Sequence, residues 1–201
     1  MKKQFIVTWG IVFLGVYSIQ ANPVLGEEFE TSRKPFVKAI LHDNVGEVKD
    51  ALKNLDQIFK DKTDKSGLLS KVLILAAYGS GNPALLKELV DAGADIEARD
   101  EDGVTALSNA ASMEHNQALE YLLSKGAPVN QIDRKGRTPL YMAAVVGNID
   151  GVKLLLAKGA DKSLEDTDGK TAVMIAEESL QSPDISPAAK KTYPEIIKLL
   201  Q

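Results

Sequence analysis

Apolar residues in this chain fall into short clusters between polar stretches that carry glycine and aspartate, and the clusters recur at a fixed step. Thr105-Ala106-Leu107-Ser108-Asn109-Ala110-Ala111, Thr138-Pro139-Leu140-Tyr141-Met142-Ala143-Ala144 and Thr171-Ala172-Val173-Met174-Ile175-Ala176 begin 33 residues apart. Gly103, Gly136 and Gly169 keep the step, as do Gly93-Ala94-Asp95, Gly126-Ala127-Pro128 and Gly159-Ala160-Asp161. A period of this size marks a stacked-repeat architecture in which each unit is one supersecondary element. Within a unit, threonine and proline cap and preset a first helix. The pairs Ala110-Ala111 and Ala143-Ala144 are short enough for neighbouring helices to approach closely. Leu122-Leu123 and Leu154-Leu155-Leu156 supply the apolar stripe of a second helix, which the next unit buries.

Two weaker copies lie upstream. Lys71-Val72-Leu73-Ile74-Leu75-Ala76-Ala77 precedes Thr105 by 34 residues, with Gly79-Ser80-Gly81-Asn82 taking up the extra residue in the turn. Lys34-Pro35-Phe36-Val37-Lys38-Ala39-Ile40 is a degenerate first copy, and its Asp43-Asn44-Val45-Gly46-Glu47-Val48 aligns with Gly147-Asn148-Ile149-Asp150-Gly151-Val152. The last copy is interrupted over 178–192 by a stretch carrying Pro183 and Pro187, and resumes after Pro194 as Glu195-Ile196-Ile197-Lys198-Leu199-Leu200. The pattern predicts units at about 33–63, 64–99, 100–132, 133–165 and 166–201, the first and last serving as atypical caps.

These motifs resemble the ankyrin repeat: an Asp-x-x-Gly-x-Thr-Pro-Leu-His-x-Ala-Ala start, an apolar second helix and a Gly-Ala-Asp close. The resemblance covers about residues 33–201. It implies an all-α solenoid of five helix-turn-helix repeats joined by β-hairpin-like loops, and a binding protein with no enzymatic activity. It also implies that partners are held at the hairpin tips and on the exposed side of the first helices.

The N-terminus is of a different kind. Lys2 and Lys3 precede an almost uninterrupted apolar run over 5–19, followed by small and polar residues, which is the order of a secretory signal peptide. At about 15 residues the run is shorter than the ~20 needed to span a bilayer, so cleavage after Ala21 is expected in preference to an uncleaved anchor. Residues 22–32 are then a linker. Cleavage removes two of the 24 basic side chains and none of the 28 acidic ones, taking the formal charge from -4 to -6. An acidic chain has no surplus of cations for phosphates, so nucleic acid is not an expected partner. Absence of cysteine excludes disulfides and thiol chemistry, and suits an oxidising periplasm. After cleavage, no membrane association is expected.

No nucleophile elbow, zinc-protease helix or phosphate-binding loop is present, and no cofactor or metal is expected. His115 aligns with a helix-helix turn and reads as structural; His42 reads as a surface residue of the first cap. Asp100-Glu101-Asp102-Gly103 and Asp166-Thr167-Asp168-Gly169 have some likeness to a calcium loop but lack its twelve-residue ligand pattern.

Carried onto this sequence, the resemblance puts variable tip positions at Arg99, Glu101, Asp102 and Val104, at Ile132, Arg134, Lys135 and Arg137, and at Glu165, Thr167, Asp168 and Lys170. Their charge runs acidic, basic, acidic from tip to tip. Such alternation keys a complementary partner or merely keeps a solvated loop soluble. Tyr78, Met113, Val145 and Val146 follow the alanine pairs, where an exposed apolar strip would form the core of an interface. Tyr141 and Met174 are expected to pack between repeats.

Export together with five repeats resembles the small periplasmic ankyrin proteins with which predatory bacteria protect themselves from their own peptidoglycan-cutting endopeptidases. That implies an inhibitor or immunity protein, monomeric when unbound, that occludes an exported cell-wall hydrolase. The other reading is a scaffold or chaperone-like support for a periplasmic enzyme.

Overall fold

Thr105 and Thr138 start helices as their sequence positions predict. Each has extended backbone, and its Oγ1 accepts the N–H three residues on, from Ser108 at 3.2 Å and from Tyr141 at 3.0 Å. Thr171 opens the third copy with the same backbone but without the side-chain bond. The structure, a computed structural model, describes residues 26–58, 62–183, 185 and 189–201, so the expected leader, 1–21, lies outside the described residues.

Among the described residues there are ten helices and no extended strand: α1 (Gly26–Leu41), α2 (Val45–Ile58), α3 (Lys62–Gly79), α4 (Pro83–Asp91), α5 (Ala106–Ser112), α6 (Asn116–Ser124), α7 (Pro139–Val146), α8 (Ile149–Ala157), α9 (Ala172–Gln181) and α10 (Ala189–Leu200). Successive helices pack as pairs. The odd-numbered helices then stack on one another in chain order, and so do the even-numbered ones. This is an all-α solenoid, in which each unit's apolar face is buried only by its neighbours.

The packing explains the residue types. Ala76, Ala77, Ala110, Ala111, Ala143 and Ala144 are all fully buried where first helices meet first helices. Leu86, Leu89, Leu119, Leu122, Val152 and Leu155 fill the layer between second helices. The turns also tie unit to unit through carbonyls that end the preceding first helix. His115 Nδ1 lies 3.0 Å from the Ala77 carbonyl, which can only accept, so that nitrogen carries the proton. Asn148 Nδ2 donates to the Ala111 carbonyl at 3.2 Å, and Tyr193 Oη donates to the Val145 carbonyl at 2.6 Å. Histidine, asparagine and tyrosine thus meet one need, satisfying a helix end that would otherwise lack a partner.

Three elements differ from the sequence expectation. Helix α1 begins at Gly26, inside the stretch read as a linker. No hairpin precedes Lys71, because α3 runs back to Lys62. Leu68 and Leu69 are fully buried there, and that burial favours continued helix over a polar turn. The stretch read as an insertion, 178–192, is partly helical: α9 continues to Gln181 and α10 starts at Ala189. Tyr193, next to that stretch, is core.

Glu114 follows α5 with φ 58°, left-handed backbone at the position where the next unit has Gly147 at φ 78°. A side chain there costs about 1 kcal/mol. Glu114→Gly is therefore expected to raise stability by about that amount, read as a higher urea midpoint at unchanged slope. A lower midpoint would mean that the Glu114 side chain stabilises the turn.

Candidate partner-binding surface

Three tips are built identically from an aspartate inward. Asp100 Oδ1 accepts the N–H groups of Asp102 (2.9 Å) and Val104 (2.8 Å), Asp133 Oδ1 those of Lys135 (2.8 Å) and Arg137 (3.0 Å), and Asp166 Oδ1 those of Asp168 (2.9 Å) and Lys170 (2.9 Å). In each loop the aspartate N–H donates to the carbonyl four residues on, and the glycine N–H returns to the aspartate carbonyl. Asp100 and Asp166, which open the two stretches with a likeness to a calcium loop, thus each use Oδ1 to close their own turn.

The tips are also joined to each other. The Arg134 N–H donates to the Asp102 carbonyl at 2.8 Å, and the Thr167 N–H to the Lys135 carbonyl at 2.9 Å. Arg99 Nη1 donates to the Ile132 carbonyl at 2.8 Å. Three loops separated by 33 residues in sequence are therefore one continuous ridge.

Backbone closure decides which charges face outward. Glu101, Asp102, Arg134, Lys135 and Asp168 are exposed, and among the described residues none of their side chains has an ion-pair partner. Two cations expected to face a partner are held in the loops instead. Arg137 donates from Nε (2.7 Å) and Nη2 (2.6 Å) to Oδ2 of the buried Asp133, and Arg99 is fixed on Ile132 as described. Val104 is half-buried, with both backbone groups on Asp100. The outward order remains acidic, basic, acidic, carried at its centre by Arg134 and Lys135 alone.

The apolar strip differs from expectation. Tyr78, Met113, Val145 and Val146 are half-buried instead of exposed. Tyr141 is 7% exposed and packs between units, while Met174, one repeat later, is 47% exposed. The neighbouring tip differs: the Asp166 carboxylate acts on the Tyr141 hydroxyl, whereas among the described residues no such tip follows Met174 on α9. Ile132 is 45% exposed beside Arg134, so Ile132 and Met174 supply the large apolar side chains most open on this side. Burial first, and the Asp166 carboxylate second, push the Tyr141 hydroxyl up to about 12.

Loops of one shape nonetheless differ electrostatically. Burial holds Asp100 above its ordinary 3.8, against the pull of the Val104 and Asp102 N–H groups. The Lys170 N–H, with the Tyr141 hydroxyl and the Asp168 N–H, holds Asp166 below the same value. The Asp166 contribution to stability is thus present above 3.8 and lost as pH falls through its lowered value; the Asp100 contribution is present below 3.8 and lost as pH rises through its raised value. A carboxyl-carbon NMR titration is expected to place the Asp100 midpoint above that of Asp166, with Tyr141→Phe moving Asp166 upward. The reverse order would contradict this account.

Among the described residues no group of three or more histidine, cysteine or acidic side chains is placed to hold a metal, and no helix is long and apolar enough to cross a membrane. Residues 73–166 match the family model for ankyrin repeats, in three copies. That stretch carries ankyrin repeats. The matched stretch runs from within α3 through α8 to the third tip aspartate, so it contains the first two tips whole. Ankyrin repeats are a non-catalytic fold used for protein–protein interaction. No curated protein matches the chain.

Proposed function

We propose that this is an exported ankyrin-repeat inhibitor that lays its tip ridge across the active-site mouth of a cell-wall hydrolase secreted by the same cell. The observation that carries the reading is the ridge: its backbone is fixed by its own hydrogen bonds, while Glu101, Asp102, Arg134, Lys135 and Asp168 are exposed and without an ion-pair partner among the described residues. A surface ordered before binding loses little entropy on docking, and alternating charge selects a complementary partner while repelling others. The charged start and apolar run over 2–19 support export, and the absence of cysteine suits an oxidising compartment. Arg134 and Lys135 are the central contacts, flanked by Glu101 and Asp102 on one side and Asp168 on the other.

The test is capture of the partner from the producing cell's periplasmic extract, followed by assay of its activity with and without the chain. A hydrolase whose activity falls supports inhibition. A bound enzyme whose activity or lifetime rises would replace inhibition with a supporting role. Arg134→Glu/Lys135→Glu is expected to weaken the captured complex about tenfold or more, or about 1.4 kcal/mol, with little change in unfolding midpoint because both side chains are exposed. Unchanged affinity would remove the central tip from the interface.

A further inference from the structure

The charges left free on neighbouring tips are opposite in sign and equal in number. At the second tip Arg137 is committed to Asp133, which leaves Arg134 and Lys135. At the third, Lys170 pairs with Glu178 at 2.7 Å, which leaves Glu165 and Asp168. All four are exposed and, among the described residues, without an ion-pair partner. The two tips are also fixed relative to each other. The Thr167 N–H donates to the Lys135 carbonyl at 2.9 Å, and Gly136 lies so close to the third tip that a Cβ on it would fall 2.9 Å from Asp166 Cα.

Such a pair of tips is complementary to itself. A two-fold axis makes one patch meet its own copy, so a charged patch survives the operation only if it exchanges unlike charges. An axis through the second tip would set Arg134 and Lys135 against their own copies, and an axis through the third would set carboxylates against carboxylates. An axis between the two exchanges them, so cations meet carboxylates twice, whatever the spacing of the tips. The first tip is the poorer complement: Glu101 and Asp102 share their loop with Arg99, which keeps its charge because the Ile132 carbonyl that positions it is neutral. Ile132, 45% exposed beside Arg134, adds an apolar side chain that leaves water when the second tip is covered.

We infer that the unbound chain pairs with a second copy of itself, ridge against ridge about a two-fold axis, with Arg134 and Lys135 of each copy meeting Glu165 and Asp168 of the other. This replaces the monomer expected of the unbound chain and stands whatever the target is. The contact is confined to loops and to Ile132, so it is a weak, reversible interface. A target must displace the second copy to reach Arg134 and Lys135, so self-pairing covers the central tip until a better complement arrives.

Sedimentation equilibrium of the chain from Asn22 onward, which keeps every described helix, reads the pairing directly. A monomer–dimer equilibrium is expected, with a dissociation constant on the order of 100 μM at about 50 mM salt and about tenfold weaker at about 500 mM. The deciding experiment exchanges the charges. Arg134→Glu/Lys135→Glu makes both tips acidic and Glu165→Lys/Asp168→Lys makes both basic, so each variant alone should be monomeric, while their equimolar mixture should form a heterodimer at least as tight as the parent dimer. Glu101→Lys/Asp102→Lys should leave the dissociation constant within about threefold of the parent value. All the substituted side chains are exposed, so thermal midpoints should stay close to the parent's and report that each variant is folded. A parent chain still monomeric at about 1 mM, a mixture that stays monomeric, or a Glu165→Lys/Asp168→Lys variant that dimerises alone would each overturn the inference. No second protein is present in these measurements, so self-pairing and hydrolase inhibition can fail separately.

Discussion

Asp133→Ala is expected to cost about 3–4 kcal/mol, the largest loss at any tip, because four donors lose their acceptor at once. Asp133 is 8% exposed; its Oδ1 holds the Lys135 and Arg137 N–H groups, and its Oδ2 holds Arg137 Nε and Nη2. Truncation leaves two amides without their loop acceptor and a half-buried guanidinium without its counter-charge. Asp100→Ala provides the contrast. Asp100 closes its loop with the same two amides, but no arginine is attached, so about 1–2 kcal/mol is expected. Urea unfolding of the two variants checks the difference. A loss below about 1 kcal/mol for Asp133→Ala would mean that the Arg137 pair behaves as an exposed ion pair and that the loop closes without it.

That contrast also shows where the sequence stops being informative. The repeat was legible because every interface makes the same demand: alanine where first helices touch, leucine between second helices, Asp-x-x-Gly where the chain turns. Residue types therefore recur at 33 with little drift. Surface roles carry no such repetition. Arg134 and Arg137 stand three residues apart in one tip and are alike in composition, yet one is exposed and the other is folded onto Asp133. The available signal was the spacing: a position four after a loop-closing aspartate lies where the loop returns, within reach of the carboxylate's second oxygen. The same position holds Val104 in the first tip and Lys170 in the third, and Lys170 turns to Glu178 at 2.7 Å, so the spacing permits the pair without requiring it.

Other departures came from tertiary context that a single repeat does not contain. Tyr141 and Met174 occupy the same register, and only the presence of a following tip separates buried from exposed. Ser66 and Gly67 look like turn residues, but the burial of Leu68, Leu69, Val72 and Leu73 makes the stretch helical. Local punctuation lost there to packing, as intrinsic propensity commonly does.

Whether the ridge is one body or three loops is decided at Gly136, and Gly136→Ala is expected to cost about 3 kcal/mol. Its φ is 75°, and a Cβ would lie 2.9 Å from Asp166 Cα and 3.1 Å from Asp166 C and Thr167 N, all backbone atoms that cannot rotate aside. Two penalties add: left-handed backbone for a residue with a side chain, and displacement of the third tip. Gly159 isolates the first, since it has φ 83° and nothing within 4 Å of a Cβ; Gly159→Ala should cost only about 1 kcal/mol. The displacement has its own readout. Moving the third tip stretches the Thr167 N–H bond to the Lys135 carbonyl, so the Thr167 amide should exchange with solvent faster in Gly136→Ala than the loss of global stability alone allows. The Arg134 amide, which bonds the Asp102 carbonyl on the other side, should follow global stability only. Equal acceleration at both amides would show that the tips open together. Matching costs at Gly136 and Gly159 would show that the third tip yields freely, and a ridge that yields freely could not present Arg134 and Lys135 in a fixed register with Asp168.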